Sequence, residues 1–486
     1  MTAVVLRRRS GGPGVVVGAA VAAAGCVVVG HSMTSPALSR GAVGLSVALA
    51  LVAMATLAPR LALYGLVTWL AVLGLVRRLL TSLGSTADTL GDPLLLVGPV
   101  LLVVLFAVAV ERGAMRDSTP LSKSVLALTA VLALSALNPL QGGISVGLGG
   151  ALLVVVPMLA FWVGRSLLDE YSVGVLIRLL AGLAVFAAIY GLMQTFYGMP
   201  HWDQAWITDE GYAALNVGGT IRAFGMSSSA SEYAALLGVG ILAWRAIAHS
   251  PLRLLVAVTA LALLVVALWL TSGRGIVVLT LAALWLTFAA ARQMRMRRAL
   301  AAGALLLLLL PTAVSYLMSS PQGSGHIESL TTHQVEGLSD PFGDNSTLGA
   351  HFGLVVDGIT QTVVNPLGRG VGAITNAASK FGGTEAGTEA DPGNAPVAAG
   401  FIGLVLYLLV AGYGLTCCYR LARSRRTMPA IAALGIVVVT FLQWLTGGQY
   451  AIIVLAWLLL GWVDSQERVA TNPGRRQRSW RHEVTT

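Results

Sequence analysis

Long apolar runs alternate with short polar breaks along almost the whole chain, and one polar stretch, residues 319–395, stands apart from them. The apolar runs fall at about 14–30, 41–58, 61–76, 94–110, 122–137, 147–164, 173–196, 230–248, 253–271, 275–291, 299–318, 396–417, 429–446 and 448–463. Each approaches the roughly 20 residues that cross the hydrocarbon core of a bilayer as a helix. Helices satisfy their own backbone polar groups, which lipid cannot do. The pattern therefore predicts an all-α, polytopic transmembrane bundle of about 12–14 spans with one large loop. The second, third, thirteenth and fourteenth runs have the shortest connections. No polar segment is long enough to fold alone, so residues 1–486 read as a single integral membrane domain. Within the loop, Leu348, Phe352, Val355, Val356, Ile359 and Val363 recur at helical spacing. They predict an amphipathic helix over about 347–364, lying on the membrane or the bundle and ending before Asn365-Pro366.

Composition agrees. The 486-residue chain is 56% hydrophobic and only 11% charged, against about 25% charged in soluble domains. Arg7-Arg8-Arg9 ahead of the first apolar run also fits a signal peptide. A first span is the better reading, because the next run follows at once. Cys26, Cys417 and Cys418 have neither metal-ligand spacing nor a suitable disulfide pairing, so neither is expected.

The net charge of +10 raises the question of nucleic acid, but the basic residues form no single patch. They alternate with loop parity instead. With the N-terminus inside, 24 of the 31 basic residues fall on the cytoplasmic side and 7 outside, while 14 of the 21 acids fall outside. This bias places both termini in the cytoplasm and the 319–395 loop outside. The outer seven are Arg40, Arg77, Arg78, Arg222, Arg274, Arg369 and Lys380, and the adjacent pair at 77–78 fits poorly enough to suggest a misplaced third span. Nucleotide sugars stay in the cytoplasm. An enzyme working outside needs a substrate already activated and delivered across the membrane, a requirement that lipid diphosphate-linked sugars meet.

Several outer residues are candidates for that chemistry. Arg274 lies in Thr271-Ser-Gly-Arg-Gly275, between spans joined almost without a loop. It reads either as a snorkelling arginine or as a phosphate ligand beside exposed glycine amides. Arg222 lies in Gly219-Thr-Ile-Arg-Ala-Phe-Gly225, followed by a serine run and Glu232. It reads as a loop arginine paired with Asp209, Glu210 or Glu232, or as an anion contact at a helix start. Arg369, in Pro366-Leu-Gly-Arg-Gly-Val-Gly372, is a third anion contact on the same logic. The aromatic stretch Tyr190–Trp206 suits an interfacial belt or stacking on sugars. Acids just above a span, Glu389 and Asp391, are either solvated or poised as bases. His351, on the edge of the loop helix, is the other candidate base.

Taken in order, these segments resemble the O-antigen ligase and O-antigen polymerase superfamily of integral membrane glycosyltransferases. Arg222-Ala-Phe-Gly before a small-residue span resembles the family's first outward arginine, and Ser272-Gly-Arg-Gly275 its second. Val355–Gly372 resembles its loop helix and Pro-Leu-Gly-x-Gly exit, and Gly400-Phe-Ile-Gly-Leu the start of the following span. The likeness covers about residues 180–415. It implies an inverting, metal-independent glycosyltransferase without a cofactor, in the inner membrane of a bacterium. The implied donor is a glycan on an undecaprenyl-type polyprenyl diphosphate, used for surface or exopolysaccharide assembly. Its diphosphate would be held by Arg222, Arg274 and Arg369. Its partners would be this donor, a glycan acceptor, membrane lipid and other polysaccharide-assembly proteins, with no nucleic acid. Ligases of this family usually carry a His-Asn pair where this chain reads Glu389-Ala-Asp-Pro-Gly-Asn394. That departure points to Asp391, Glu389 or His351 as the base, and to polymerase over ligase. The readings from other classes are a polysaccharide or lipid-intermediate flippase, which needs charges deep within spans, and a non-catalytic envelope scaffold.

Overall fold

The computed structural model describes residues 36–83, 92–210, 216–217, 220–247, 251–318, 325–343, 348–445 and 450–471. The first apolar run, Cys26, the N-terminal arginines and the last residues before the C-terminus lie outside them. The described chain is all-α apart from one minimal hairpin, β1 (Asn216–Val217) and β2 (Thr220–Ile221). Nine of its helices are long and apolar enough to cross a membrane. The order runs α1 (Pro36–Leu57), α2 (Pro59–Ser82), α3 (Val97–Glu111), α4 (Pro120–Ser135), α5 (Ile144–Met158), α6 (Ala160–Leu167) and α7 (Glu170–Tyr197). It continues with α8 (His201–Glu210), α9 (Ala230–Ile247), α10 (Pro251–Leu270), α11 (Arg274–Ala291) and α12 (Met296–Leu317). The polar segment forms α13 (His326–Ser339), α14 (Leu348–Val364) and the short α15 (Ala377–Lys380), and α16 (Asp391–Arg425), α17 (Met428–Val439) and α18 (Tyr450–Thr471) follow.

Each expected run from 41 onward is helical, with three physical departures. The run at 147–164 is divided into α5 and α6, with Pro157 beside the join removing a helical N–H. The run at 429–446 is helical only to Val439, after which the chain turns, with Leu442 at φ 73°. The third run is longer than its apolar core, because α2 carries Arg77 and Arg78 within its last turns. It is one continuous helix through them. Both arginines are paired: Arg77 Nε lies 2.7 Å from Asp92, and Arg78 Nε lies 2.6 Å from Asp203.

Ion pairs sort the helix ends into two sets. Arg40–Asp92, Arg77–Asp92 and Arg78–Asp203 join one set. Arg60–Asp169, Arg165–Asp464, Arg425–Glu170 and Arg468–Asp117 join the other. Among the described residues, α2 has an arginine in each set, Arg60 at its start and Arg77 and Arg78 at its end. Small residues allow the closest approach between helices. A Cβ at Gly164 of α6 would strike the Leu458 carbonyl of α18, and one at Gly461 would strike the Phe161 carbonyl. Without a hydrophobic drive in lipid, such backbone proximity supplies the packing energy.

Helix α16 is broken rather than straight. Ala399 and Gly400 leave helical geometry, with Gly400 at φ 63°. The loop Pro366–Gly370 docks into the break: Arg369 N donates to the Val397 carbonyl at 2.7 Å and Gly370 N to the Ala398 carbonyl at 3.1 Å. At the head of α16, Asp391 is fully buried. Its carboxylate accepts the amides of Trp444 (2.6 Å) and Leu445 (2.8 Å), tying α16 to the turn after α17. Hydrogen bonds to a charged group contribute about 1.5–3 kcal/mol each. Asp391→Asn keeps only one acceptor oxygen. It should therefore lower the melting temperature of the purified protein, while the folded fraction keeps its specific activity. Full stability with lost activity would return Asp391 to the list of bases.

Candidate functional site

The turn between α10 and α11 is the foundation of the site. Ser272 sits at φ 54°, a left-handed conformation unusual for serine. Its hydroxyl donates to the Leu330 carbonyl at 2.8 Å, fastening α13 across the turn. Helix α11 begins at Arg274 with Gly273 as its N-cap and no side-chain cap. Its first amide, Arg274 N, donates to the Ser272 carbonyl at 3.2 Å and Val277 N to the Gly273 carbonyl at 3.1 Å, so the Gly275 and Ile276 amides are the ones that stand at the positive end of the helix dipole without a side-chain cap. The start of α9 is the opposite case. There the Ser229 hydroxyl accepts the Glu232 amide and the Glu232 carboxylate accepts the Ser228 amide, each at 3.2 Å. The serine run therefore caps its own helix and offers no open anion position.

Arg274 and Arg222 converge. Arg274 Nη2 lies 2.7 Å from Nε2 of His333 on α13. The Arg274 guanidinium lies against Gly337, one turn along α13, where a Cβ would overlap it. Glu336 acts electrostatically on Arg274 from the same helix. Arg222 Nη1 reaches toward the Thr271 carbonyl at 3.5 Å, on the turn that carries Arg274, and β2 beside it packs against α13. The His333 imidazole is pushed down to about 4, first by burial and then by the charges of Arg274 and Arg222. At neutral pH it is uncharged, so Arg274 donates to Nε2 and the ring proton resides on Nδ1. Gln334 shares a helical face with Leu330 and Gly337, both of which touch the Ser272–Arg274 turn. It is fully buried, and neither of its amide atoms has a hydrogen-bond partner among the described residues. Buried polar groups normally find partners, so this amide suits a ligand between α13 and the turn.

The segment bearing Arg222, just after β2, is braced from behind. Buried Arg78 donates to the carbonyls of Gly225 and Ser227, each at 2.5 Å, and lies 4.6 Å from the centre of the Phe224 ring. Asp203, its ion-pair partner, accepts from Tyr190 (2.8 Å) and Gln194 (2.7 Å). Gln194 in turn accepts the amides of Phe224 and Gly225. Tyr190 and Trp202 of the aromatic stretch thus serve this inward network, whereas Phe196 and Tyr197 face outward.

The other candidates fall elsewhere. His351 on α14 and Glu389 form a partly exposed pair, with Nδ1 2.8 Å from the carboxylate. Glu389 adopts φ 62°. Arg369 sits at the break in α16, and its side chain makes no ion pair among the described residues. The glycine-rich turn around it is no anion cradle. The amides of Gly368, Arg369, Gly370 and Gly372 go to Asn365, Val397, Ala398 and Gln141 respectively. Asp391 is held at the Trp444–Leu445 turn, where its carboxylate accepts both amides. His333, Gln334 and Gly337 were not singled out from the sequence. The available signal was a histidine four residues before a glycine within a polar stretch, which puts a donor-acceptor ring and a space for a flat side chain on one helical face. No protein-family profile matches the sequence, and no curated protein is significantly similar to it.

Proposed function

We propose that this chain is a membrane glycosyltransferase that takes a glycan from a polyprenyl diphosphate carrier on the outer face of the membrane. The observation that carries the reading is the convergence of Arg274, Arg222 and neutral His333 beside an uncapped helix start. Two guanidinium forks and the Gly275 and Ile276 amides suit the four non-bridging oxygens of a diphosphate diester. In transfer, an acceptor hydroxyl attacks the anomeric carbon and the bond to the diphosphate oxygen breaks. The charge developing on that oxygen falls to the arginines. The hydroxyl proton goes to His333. The diphosphate neutralises both guanidiniums and draws Arg274 off Nε2, which frees that nitrogen and raises its basicity above the unloaded value, while the depression due to burial, the larger cause, remains. Arg369 lies on a separate element from this cluster, so the diphosphate reading rests on Arg222 and Arg274.

A second reading of the base has its own support. The carboxylate of Glu389 lies 2.8 Å from Nδ1 of His351 and orients the ring, which leaves Nε2 for an acceptor hydroxyl. Single His333→Ala and His351→Ala variants, assayed for transfer from a lipid-linked repeat, distinguish the two. Polymerisation onto a second lipid-linked repeat is the favoured outcome, and transfer to another surface acceptor the alternative. Against a flippase, the buried charges Arg78 and Arg165 lie near helix ends in ion pairs and not in mid-span.

The outward placement rests on the charge bias. In a background lacking the native cysteines, Thr384→Cys in the polar segment should react with an impermeant thiol reagent in intact cells. Ser424→Cys at the end of α16 should not. Labelling of 424 alone would invert the orientation and remove the case for a lipid-diphosphate donor.

A further inference from the structure

At the opposite end of α11 from Arg274, the last turns of α16 and α18 leave an open cavity of about 430 Å³, lined in part by Gln293, Arg420, Arg423, Ser424, Gln466 and Glu467. The 18 residues of α11, at about 1.5 Å rise each, set it about 27 Å from the arginine–histidine cluster. Its walls come from three elements and are held by named bonds. Arg423 Nε donates to the Gln293 carbonyl at 3.2 Å, and Arg425 Nη1 donates to Gln466 Oε1 at 2.6 Å. The thiol of Cys417 donates to Glu467 at 2.9 Å, which turns that acid toward the helix interface. Arg420 is exposed and makes no ion pair among the described residues.

Below Arg420 the same face of α16 is apolar and exposed. Ile402, Val405, Leu409, Tyr413 and Thr416 precede it at intervals of three and four residues, which is one continuous stripe. The first four of these are 51%, 37%, 41% and 41% exposed within the bundle, in turn. A soluble anion has no use for this stripe. An amphiphile does: its charged head sits among arginines at the helix end and its chains lie along the stripe.

We propose that this cavity is a binding site for the headgroup of an anionic phospholipid, with Arg420 and Arg423 as phosphate ligands and the near half of the stripe, Leu409–Thr416, as the seat of its acyl chains. It is distinct from the diphosphate cluster and independent of the reaction proposed there. On the orientation given above it belongs to the inner leaflet, where anionic lipid attracts basic residues.

The test is native mass spectrometry of the purified full-length chain titrated with dioleoylphosphatidylglycerol or dioleoylphosphatidylcholine in detergent. The wild type should retain the anionic lipid in preference to the zwitterionic one. Arg420→Gln should weaken that retention about five-fold, and Arg420→Gln with Arg423→Gln about 25-fold, from roughly 1 kcal/mol for each arginine near anionic lipid. The single variant removes no bond within the bundle, so its result stands even if the double variant unfolds. Equal retention of both lipids, or unchanged retention by Arg420→Gln, overturns the proposal. So does displacement by soluble glycerol phosphate at concentrations comparable to the lipid, which would assign a site for a free anion.

Discussion

Replacing Arg274 by alanine should cut glycan transfer about 100- to 1000-fold, equivalent to about 2.7–4 kcal/mol, by analogy with loss of an oxyanion donor. Lysine should recover little of it. The guanidinium of Arg274 is wedged flat against Gly337 while its Nη2 reaches His333. A lysine ammonium is a point charge on a flexible stem and cannot occupy both positions as a planar fork does. The same order, arginine far above lysine and lysine near alanine, is expected at Arg222. Gly337→Ala is the companion test, because it keeps every charge but pushes the guanidinium aside. It should lower transfer while leaving thermal stability near wild type. Near-normal turnover in both lysine variants would reduce these arginines to membrane anchors.

His333→Ala should slow transfer about 100- to 10,000-fold, the range associated with a positioned general base, with donor binding retained. The pH dependence carries the sharper signature. Unloaded, His333 is held down at about 4 by burial, Arg274 and Arg222. Once a bound diphosphate neutralises the arginines, its basicity rises. Binding then takes up a proton whenever the pH lies between the unloaded and loaded values. Donor affinity should therefore increase as pH falls toward the unloaded value of about 4, by at most about ten-fold per pH unit. The turnover number should fall over the same interval, because a protonated imidazole cannot accept the hydroxyl proton. A diphosphate diester does not itself titrate there. His333→Gln should flatten both trends. If they persist in that variant and vanish in His351→Ala, the His351–Glu389 pair is the base.

The bundle was legible in the sequence because lipid imposes one local rule, a helix for each long apolar run. Arg222 and Arg274 stood out for a related reason, each being a charge at a span end against the loop bias, and the structure brings them to the same turn. The rest depended on contacts between distant segments. His333 meets Arg274 across 59 residues, within a polar segment whose strongest periodicity lies elsewhere, in Leu348–Val364. Asp391 looked like a base because it is an acid at the head of a span. Its partners, Trp444 and Leu445, are more than fifty positions away, at 53 and 54. Arg77 and Arg78 defied the charge bias because that bias counts residues, not pairs. Asp92 and Asp203 neutralise them in place.

The most direct test is to incubate the purified, reconstituted chain with a polyprenyl diphosphate-linked oligosaccharide and follow both products by mass spectrometry. Free polyprenyl diphosphate should appear in step with a glycan lengthened or transferred to an acceptor, and both should fall together in Arg274→Ala. Intact donor after long incubation with a folded wild-type protein, while that protein moves the donor between leaflets, would contradict the account and identify a transporter.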